Sequence, residues 1–390
     1  MEVTVIKNIG TIVSGRVDQP TVAGSVIVIK DGKIDAVGGD DLIAALGAAS
    51  VKYKSIDAGG MTVTPGLIDS HTHPVIGDYT PRQKMADFID SSIHGGVTTM
   101  ISAGEVHTPG RPTDPAGVKA LAILASKSFA ILKPGGVKVH AGAVILEKGL
   151  TEADFAEMAT AGVRIVGEVG LGSVKKPEDA APMVVWAKKH NMKVMMHTGG
   201  TSIPGSSTVT AADVIKTDPD VVSHINGGPT AVSLAEVDCL LDSTGLALEI
   251  VQCGNPKVAD YVARKAQAAN QLHRIIFGND APSGTGVIPL GILRNICQLA
   301  SMSGIPAAQA IAMATGNTAR VYGLNTGMIA QGKEADIVIM DTPMGSVGKN
   351  ALEAIEAGDL PGVALVLVDG VVKVSKSRNT PPPVGKVTIA

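Results

Sequence analysis

Aromatic side chains make up only 2% of the 390 residues. That scarcity disfavours an aromatic cage around a ligand and suits recognition of a small polar molecule. Cysteine is scarce too: Cys239, Cys253 and Cys297 form an odd, sparse set, better suited to reduced thiols in a cytoplasm than to a disulfide framework. Cys239 and Cys297 read as small core residues, and there are too few thiolates for a cysteine-built structural zinc site. Charge is in short supply, with 18% charged residues and a net charge of -3, so no electrostatic footprint for nucleic acid or an anionic membrane exists. No apolar run approaches the ~18 residues of a membrane span; even Ala120-Leu-Ala-Ile-Leu-Ala-Ser is broken by Lys127. The start, Met1-Glu-Val-Thr-Val-Ile-Lys, lacks the basic region, apolar core and cleavage site of a secretory signal. A soluble, cytoplasmic protein acting on a small molecule is expected. The 45% hydrophobic content implies much buried surface and a homo-oligomer, with a tetramer among the expected states.

What is present is a long chain of repeats. At 390 residues the chain exceeds what one ordinary core needs. From residue 63 to about 280, runs rich in Val and Ile alternate with helix-like segments, the pattern of βα units around a buried parallel sheet. The runs begin at Val63, Val97, Val137, Val163, Lys193, Val221, Leu246 and Arg274. Helix candidates between them include Pro81 to His94, Glu152 to Ala161, Pro177 to His190 and Pro256 to Asn270. Eight runs favour a closed (β/α)8 TIM barrel over an open doubly wound sheet, which would also want a glycine fingerprint opening its first helix. The two ends are strand-rich instead. Val26-Ile-Val-Ile-Lys-Asp-Gly-Lys-Ile turns at Asp31-Gly32, and Val363-Ala-Leu-Val-Leu-Val-Asp-Gly-Val-Val-Lys-Val turns at Asp369-Gly370, both hairpin signals. The expected organisation is a small β-sandwich domain formed by both chain ends, residues 1–62 and 326–390, around a barrel over residues 63–325. The tail with Pro381-Pro-Pro383 should be extended.

In such a barrel the working residues sit at the C-terminal ends of the strands. His71 and His73 close the first run, in Thr64-Pro-Gly-Leu-Ile-Asp-Ser-His71-Thr-His73; two apart on a strand, they share a face and can grip one metal ion. Glu168 ends the fourth run, His197 the fifth, His224 the sixth and Asp280 the eighth. Taken singly, each has a bland reading as a carbonyl cap or helix cap. Six ligand-type residues at equivalent positions of five strands are not expected by accident. Neutral imidazoles and carboxylates suit zinc, iron or manganese.

Here the residues resemble the amidohydrolase superfamily. The likeness covers nearly the whole chain: the split β domain, the Pro-Gly-Leu-Ile-Asp-Ser-His-Thr-His strand, the later His, His and Asp, and Gly332-Lys-Glu-Ala-Asp-Ile-Val after the barrel. It implies two divalent metal ions per chain, zinc and/or iron, with His71, His73 and Asp280 on one, His197 and His224 on the other, and a bridging carboxylate between them. Many relatives bridge with a carbamylated lysine. The fourth strand here offers Glu168, while Lys175 and Lys176 lie well into the following loop, so Glu168 is the expected bridge. Two ions sharing a water lower its pKa, and Asp280 would act as the catalytic residue, taking the proton and passing it to a departing nitrogen.

Within the family the chain looks most like the hydrolases of cyclic amides. The supporting features are Gly167-Glu-Val-Gly-Leu-Gly and the loop Thr198-Gly-Gly-Thr-Ser-Ile-Pro-Gly-Ser-Ser. A carboxylated cyclic amide needs an anion partner, and Gly199 and Gly200 could offer backbone N–H groups with the Thr201 and Ser202 hydroxyls. Other strand-end candidates are Glu105 and His107, then His140, then Cys253 with Asn255. The rivals are a dihydroorotase-like imidase, a deacetylase or an isoaspartyl dipeptidase on the same site, and a non-catalytic scaffold of the same fold.

Overall fold

A computed structural model describes residues 2–80, 83–201, 206–227, 230–282 and 286–390. Eight parallel strands form its centre: β1 (Leu67–Thr72), β2 (Val97–Ser102), β3 (Lys138–His140), β4 (Ile165–Val169), β5 (Lys193–Met196), β6 (Val221–Val222), β7 (Ala247–Val251) and β8 (Ile275–Gly278). Regular pairing joins β1 to β3 and β4 to β8. Two seams close the ring. Between β3 and β4, Gly167 N–H donates to Val144 O at 2.9 Å, and between β8 and β1, Asp280 N–H donates to His71 O at 2.9 Å and His73 N–H to Ala281 O at 3.0 Å. The result is the closed (β/α)8 barrel.

Alternation along the strands explains its two cores. Inward residues Ile68, Ile101, Ile165, Met195, Val221, Ala247 and Ile276 fill the barrel, while outward neighbours such as Leu67, Met100, Val166, Val194, Leu248 and Ile275 pack under the helices. The helices Glu152–Ala161, Pro177–Lys189 and Pro256–Ala268 lie where the sequence places them. The first is shorter than expected: Pro81 and Arg82 fall outside the described residues, Gln83–Lys84 are extended, and the helix runs Met85–Ile93. Cys297 is buried, but Cys239 is exposed, because its helix turns Val237, Leu240 and Leu241 inward and leaves Cys239 on the opposite face.

Both chain ends supply the flanking sheets. One sheet pairs Thr388–Ile389, Lys54–Asp57, Val3–Lys7, Val26–Lys30 and Lys33–Gly38; the other pairs Val371–Val374, Gly362–Val368, Ile337–Asp341, Thr62–Pro65, Thr11–Val13 and Thr21–Val22. Their facing residues, among them Ile6, Ile27, Ile56, Ile337 and Leu367, make a separate core. Asp31-Gly32 and Asp369-Gly370 both turn at positive φ, as two-residue hairpins require. The run beginning at Val63 is split. Val63 pairs with Ile339 and Ile12 in the flanking sheet, and the barrel strand starts only at Leu67, after Gly66. A side chain at Gly66 would place Cβ 2.2 Å from Thr98 Oγ1, so glycine alone lets the chain pass from one layer to the other.

Lys138, at the start of β3, ties the barrel to these sheets. Its Nζ bonds Glu334 at 2.7 Å, Asp336 at 3.0 Å and Asp369 at 2.6 Å. Asp336 is fully buried at its side chain. Lys138→Met should therefore strand a buried carboxylate and lower stability by about 3–5 kcal/mol, read as a shift of the denaturant midpoint; an unshifted midpoint would show that Asp336 draws its support elsewhere.

Candidate metal centre

The C-terminal ends of five barrel strands converge. His71 lies in β1 and Glu168 in β4; His73, His197, His224 and Asp280 follow the ends of β1, β5, β6 and β8. All are buried except Asp280, whose side chain keeps 16% exposure. The last strand presses close against the first: a Cβ on Gly278 would fall 2.4 Å from that of His71.

The ligand-type atoms fall into two groups, His71, His73 and Asp280 in one, and Glu168, His197 and His224 in the other, the atoms of each lying within 4.8 Å of one another. Asp280 Oδ1 is 3.2 Å from His73 Nε2 and 3.6 Å from His71 Nε2. His197 Nδ1 and His224 Nε2 are 3.1 Å apart. Glu168 straddles the two groups. Its Oε1 lies 2.6 Å from His224 Nε2 and 3.8 Å from His197 Nδ1, and its Oε2 lies 3.5 Å from His71 Nε2 and 3.9 Å from His73 Nε2.

Outward hydrogen bonds set which ring nitrogen faces inward. His73 Nδ1 donates to Gly104 O at 2.9 Å and His197 Nε2 to Gly200 O at 3.1 Å; His71 Nδ1 meets Glu249 Oε2 at 2.6 Å. This leaves Nε2 of His71 and His73 and Nδ1 of His197 aimed at the centre, the arrangement by which imidazoles are prepared for a metal. His71 Nε2 is buried without a hydrogen-bond partner. Such an orphan ring nitrogen, in a set of four imidazoles and two carboxylates, fits zinc or iron.

The charges agree. Burial opposes charge on His71, yet Glu249, Glu168 and Asp280 hold its pKa well above the ordinary value. Burial alone would raise Glu168, but His71 and His224 with the His197 and His224 hydrogen bonds hold it well below the carboxylate range. Asp280 is lowered in the same way against its burial, by His71, His73 and His224. Carboxylates outweighing neutral imidazoles in a dry pocket attract positive charge, whether protons or a cation.

Two buried carboxylates here escaped the sequence reading. Glu249, in β7, is the single charge in Leu246-Ala-Leu-Glu-Ile-Val, and that isolation in an apolar strand was the available signal. Asp69 accepts from the backbone N–H of His71 at 3.2 Å and of Asn279 at 2.9 Å, so it fastens the strand carrying the histidines to the one carrying Asp280. Burial pushes its carboxyl up to about 7.

The expected substrate contacts fare unevenly. The backbone N–H of Gly199 donates to Val209 O and that of Gly200 to Thr230 O, so neither is free for a substrate carboxylate; Gly200 serves His197 through its carbonyl instead. Thr201 is exposed, and Ser202 lies outside the described residues. His140 is not gathered in. Its side chain is exposed, with Glu334, Lys138 and Lys133 as charged neighbours, because the third stave runs on to Val144, which pairs with Val166, two residues before Glu168. Asn255 caps its helix, its Oδ1 accepting from Lys257 and Val258 N–H, and Cys253 is half-buried, its N–H on Asn279 O. Among the other candidates, Glu105 is buried and its carboxyl pushed up to about 7. His107 sits edge-on to the His73 ring, centroids 5.1 Å apart, and burial with His73 nearby brings its pKa down to about 4.

Comparison with known proteins agrees with this architecture. Enamidase of Eubacterium barkeri is 66% identical over 98% of each chain. A crystal structure of enamidase superposes over 100% of both chains with a TM-score of 0.96 at 65% identity. At the level of fold alone, β-aspartyl dipeptidase of Fervidobacterium islandicum AW-1 covers 96% of this chain and 98% of its own with a TM-score of 0.69 at 17% identity. The amidohydrolase family model matches residues 62–373. By that match and by the full-length relative, the chain belongs to the amidohydrolase family.

Proposed function

We propose that the chain hydrolyses the ring C–N bond of a small carboxylated cyclic amide, 6-oxo-1,4,5,6-tetrahydronicotinate, to 2-formylglutarate and ammonia. The observation that carries this reading is the 66% identity to an enamidase along 98% of the chain. Two waters are consumed. One adds to the lactam carbonyl as the C–N bond breaks, and the second replaces nitrogen on the carbon that becomes the formyl group.

His71, His73 and Asp280 would hold one divalent ion and His197 and His224 the other, with Glu168 between them, zinc and iron both suiting these donors. When bound, the ions would supply a more acidic water and a polarised amide carbonyl. Asp280 is the ligand-type carboxylate with access to the open face, since Glu168 is only 3% exposed. It takes the proton of the attacking water and delivers it to the departing ring nitrogen. Asp69 and the Gly104 and Gly200 carbonyls keep these groups oriented. A homo-oligomer in the cytoplasm fits the large exposed apolar side chains, such as Ile131 and Val347, and three cysteines of which none is in a disulfide. Among the described residues no helix is long and apolar enough to cross a membrane.

A panel of cyclic amides, including dihydroorotate and simple lactams, tests the assignment through ammonia release and loss of the ring. Ring opening should be fastest for the carboxylated tetrahydropyridinone. Stripping the protein with a chelator should abolish turnover, and zinc or ferrous iron should restore it. Fully loaded protein that leaves this lactam intact while cleaving another panel member would overturn the substrate assignment.

A further inference from the structure

Glu249 faces the barrel interior one layer above Ala247 and beneath the metal centre, and it is completely buried. Such a carboxylate needs several donors, and each of its donors bears on the site. Oε1 accepts from Ser70 Oγ at 2.5 Å. Oε2 meets His71 Nδ1 at 2.6 Å and accepts from the backbone N–H of His224 at 3.2 Å. His71 belongs to one ligand group and His224 to the other. His224 also sits at φ 34, a left-handed conformation that a non-glycine residue keeps only when its surroundings hold it there.

We propose that Glu249 is a positioning residue that prepares both halves of the centre at once, fixing the ring of His71 through its side chain and the backbone of His224 through its N–H. One oxygen does both jobs. By accepting the Nδ1 proton of His71 it leaves Nε2, the orphaned atom, as the ring nitrogen turned toward the centre. By holding the His224 N–H it fixes the bend that carries that ring to 2.6 Å from Glu168. Ser70, next to His71 in β1, clamps the second oxygen and prevents the carboxylate from rotating. The two ions should therefore be lost together when Glu249 is removed, although it touches neither ion's place. The bland alternative is a carboxylate that merely fills the barrel floor.

This inference rests on the two-ion reading above, and the test separates the two. Metal-free protein is titrated with zinc against a competing chelator, and the ring tautomer of His71 is read by nitrogen NMR in the same samples. Glu249→Gln keeps the shape: its amide oxygen accepts from His71 and His224 while its amide N–H donates to Ser70. It should weaken both ions by roughly 10-fold and preserve the Nδ1–H tautomer. Glu249→Leu should weaken both by roughly 100-fold and lose that tautomer preference. A folded Leu variant with wild-type affinity for both ions, or one that loses a single ion, overturns the role. If the Leu variant does not fold, a Gln variant that loses the Nδ1–H tautomer yet keeps wild-type affinity for both ions overturns it instead. Wild-type protein that takes up no zinc would sink the metal centre itself rather than the part played by Glu249.

Discussion

Asp280→Asn should lower turnover by roughly 10² to 10⁴-fold, the loss expected when the group that moves a proton is disabled. The asparagine keeps the shape and one side-chain oxygen near His73 and His71, where Asp280 Oδ1 now stands at 3.2 and 3.6 Å, but it cannot accept the proton of the attacking water. Its imidazole neighbours hold Asp280 ionised, well below the usual carboxylate range, in spite of burial, so the carboxylate enters the reaction without a proton of its own. The check is turnover at saturating lactam beside elemental analysis of the same preparation. Near-normal turnover with both ions retained would refute the proton-transfer role. A variant that retains its ions but turns over slowly separates proton transfer from ligation.

Glu168→Ala should be at least as damaging. It removes the ligand-type carboxylate whose oxygens approach both groups, and four imidazoles would then converge on a pocket stripped of half its ligand-type carboxylates. Metal content should fall below two ions per chain, with turnover reduced by more than the ~100-fold typical of losing an outer partner of a ligand. Glu168 itself stands in this place among the described residues, and Lys175 and Lys176 come after β4, beyond Gly170. Reconstitution of the wild type should accordingly need no carbon dioxide. Equal activity of the alanine variant, or a carbamylated lysine found by mass spectrometry, would remove Glu168 from its bridging role.

The six ligand-type residues were legible because strand geometry is periodic. Two-residue spacing put His71 and His73 on one face, and Val- and Ile-rich runs marked the strand ends where Glu168, His197, His224 and Asp280 stand. What lay beyond those ends was harder. Gly199 and Gly200 looked like free donors because a sequence cannot show that Val209 and Thr230, well downstream, accept their N–H groups. His140 looked like a strand end because Ala141-Gly-Ala-Val carries no strand pattern, yet Val144 bridges Val166 there. Glu249 and Asp69 sit within their strands rather than at the ends, so the rule that picked out the ligand-type residues passed over the buried carboxylates hydrogen-bonded behind them. The barrel's first strand was placed early at Val63 because the apolar run continues across Gly66, and pairing with Ile339 decides where one layer stops.

That pairing has a temporal side. Thr62–Pro65 lies between Thr11–Val13 and Ile337–Asp341 in its sheet, so one of its edges has no native partner until most of the chain has been made. At the ~5–20 residues per second of protein synthesis, the wait is roughly 15 to 55 s. Throughout it, an unpaired strand edge and the apolar face that becomes the flanking core stand open on the ribosome-bound chain, a setting in which strands seek wrong partners. The nascent protein should therefore bind chaperones through its first 65 residues, long before the barrel is complete, and a stalled chain ending ahead of Ile337 should retain them.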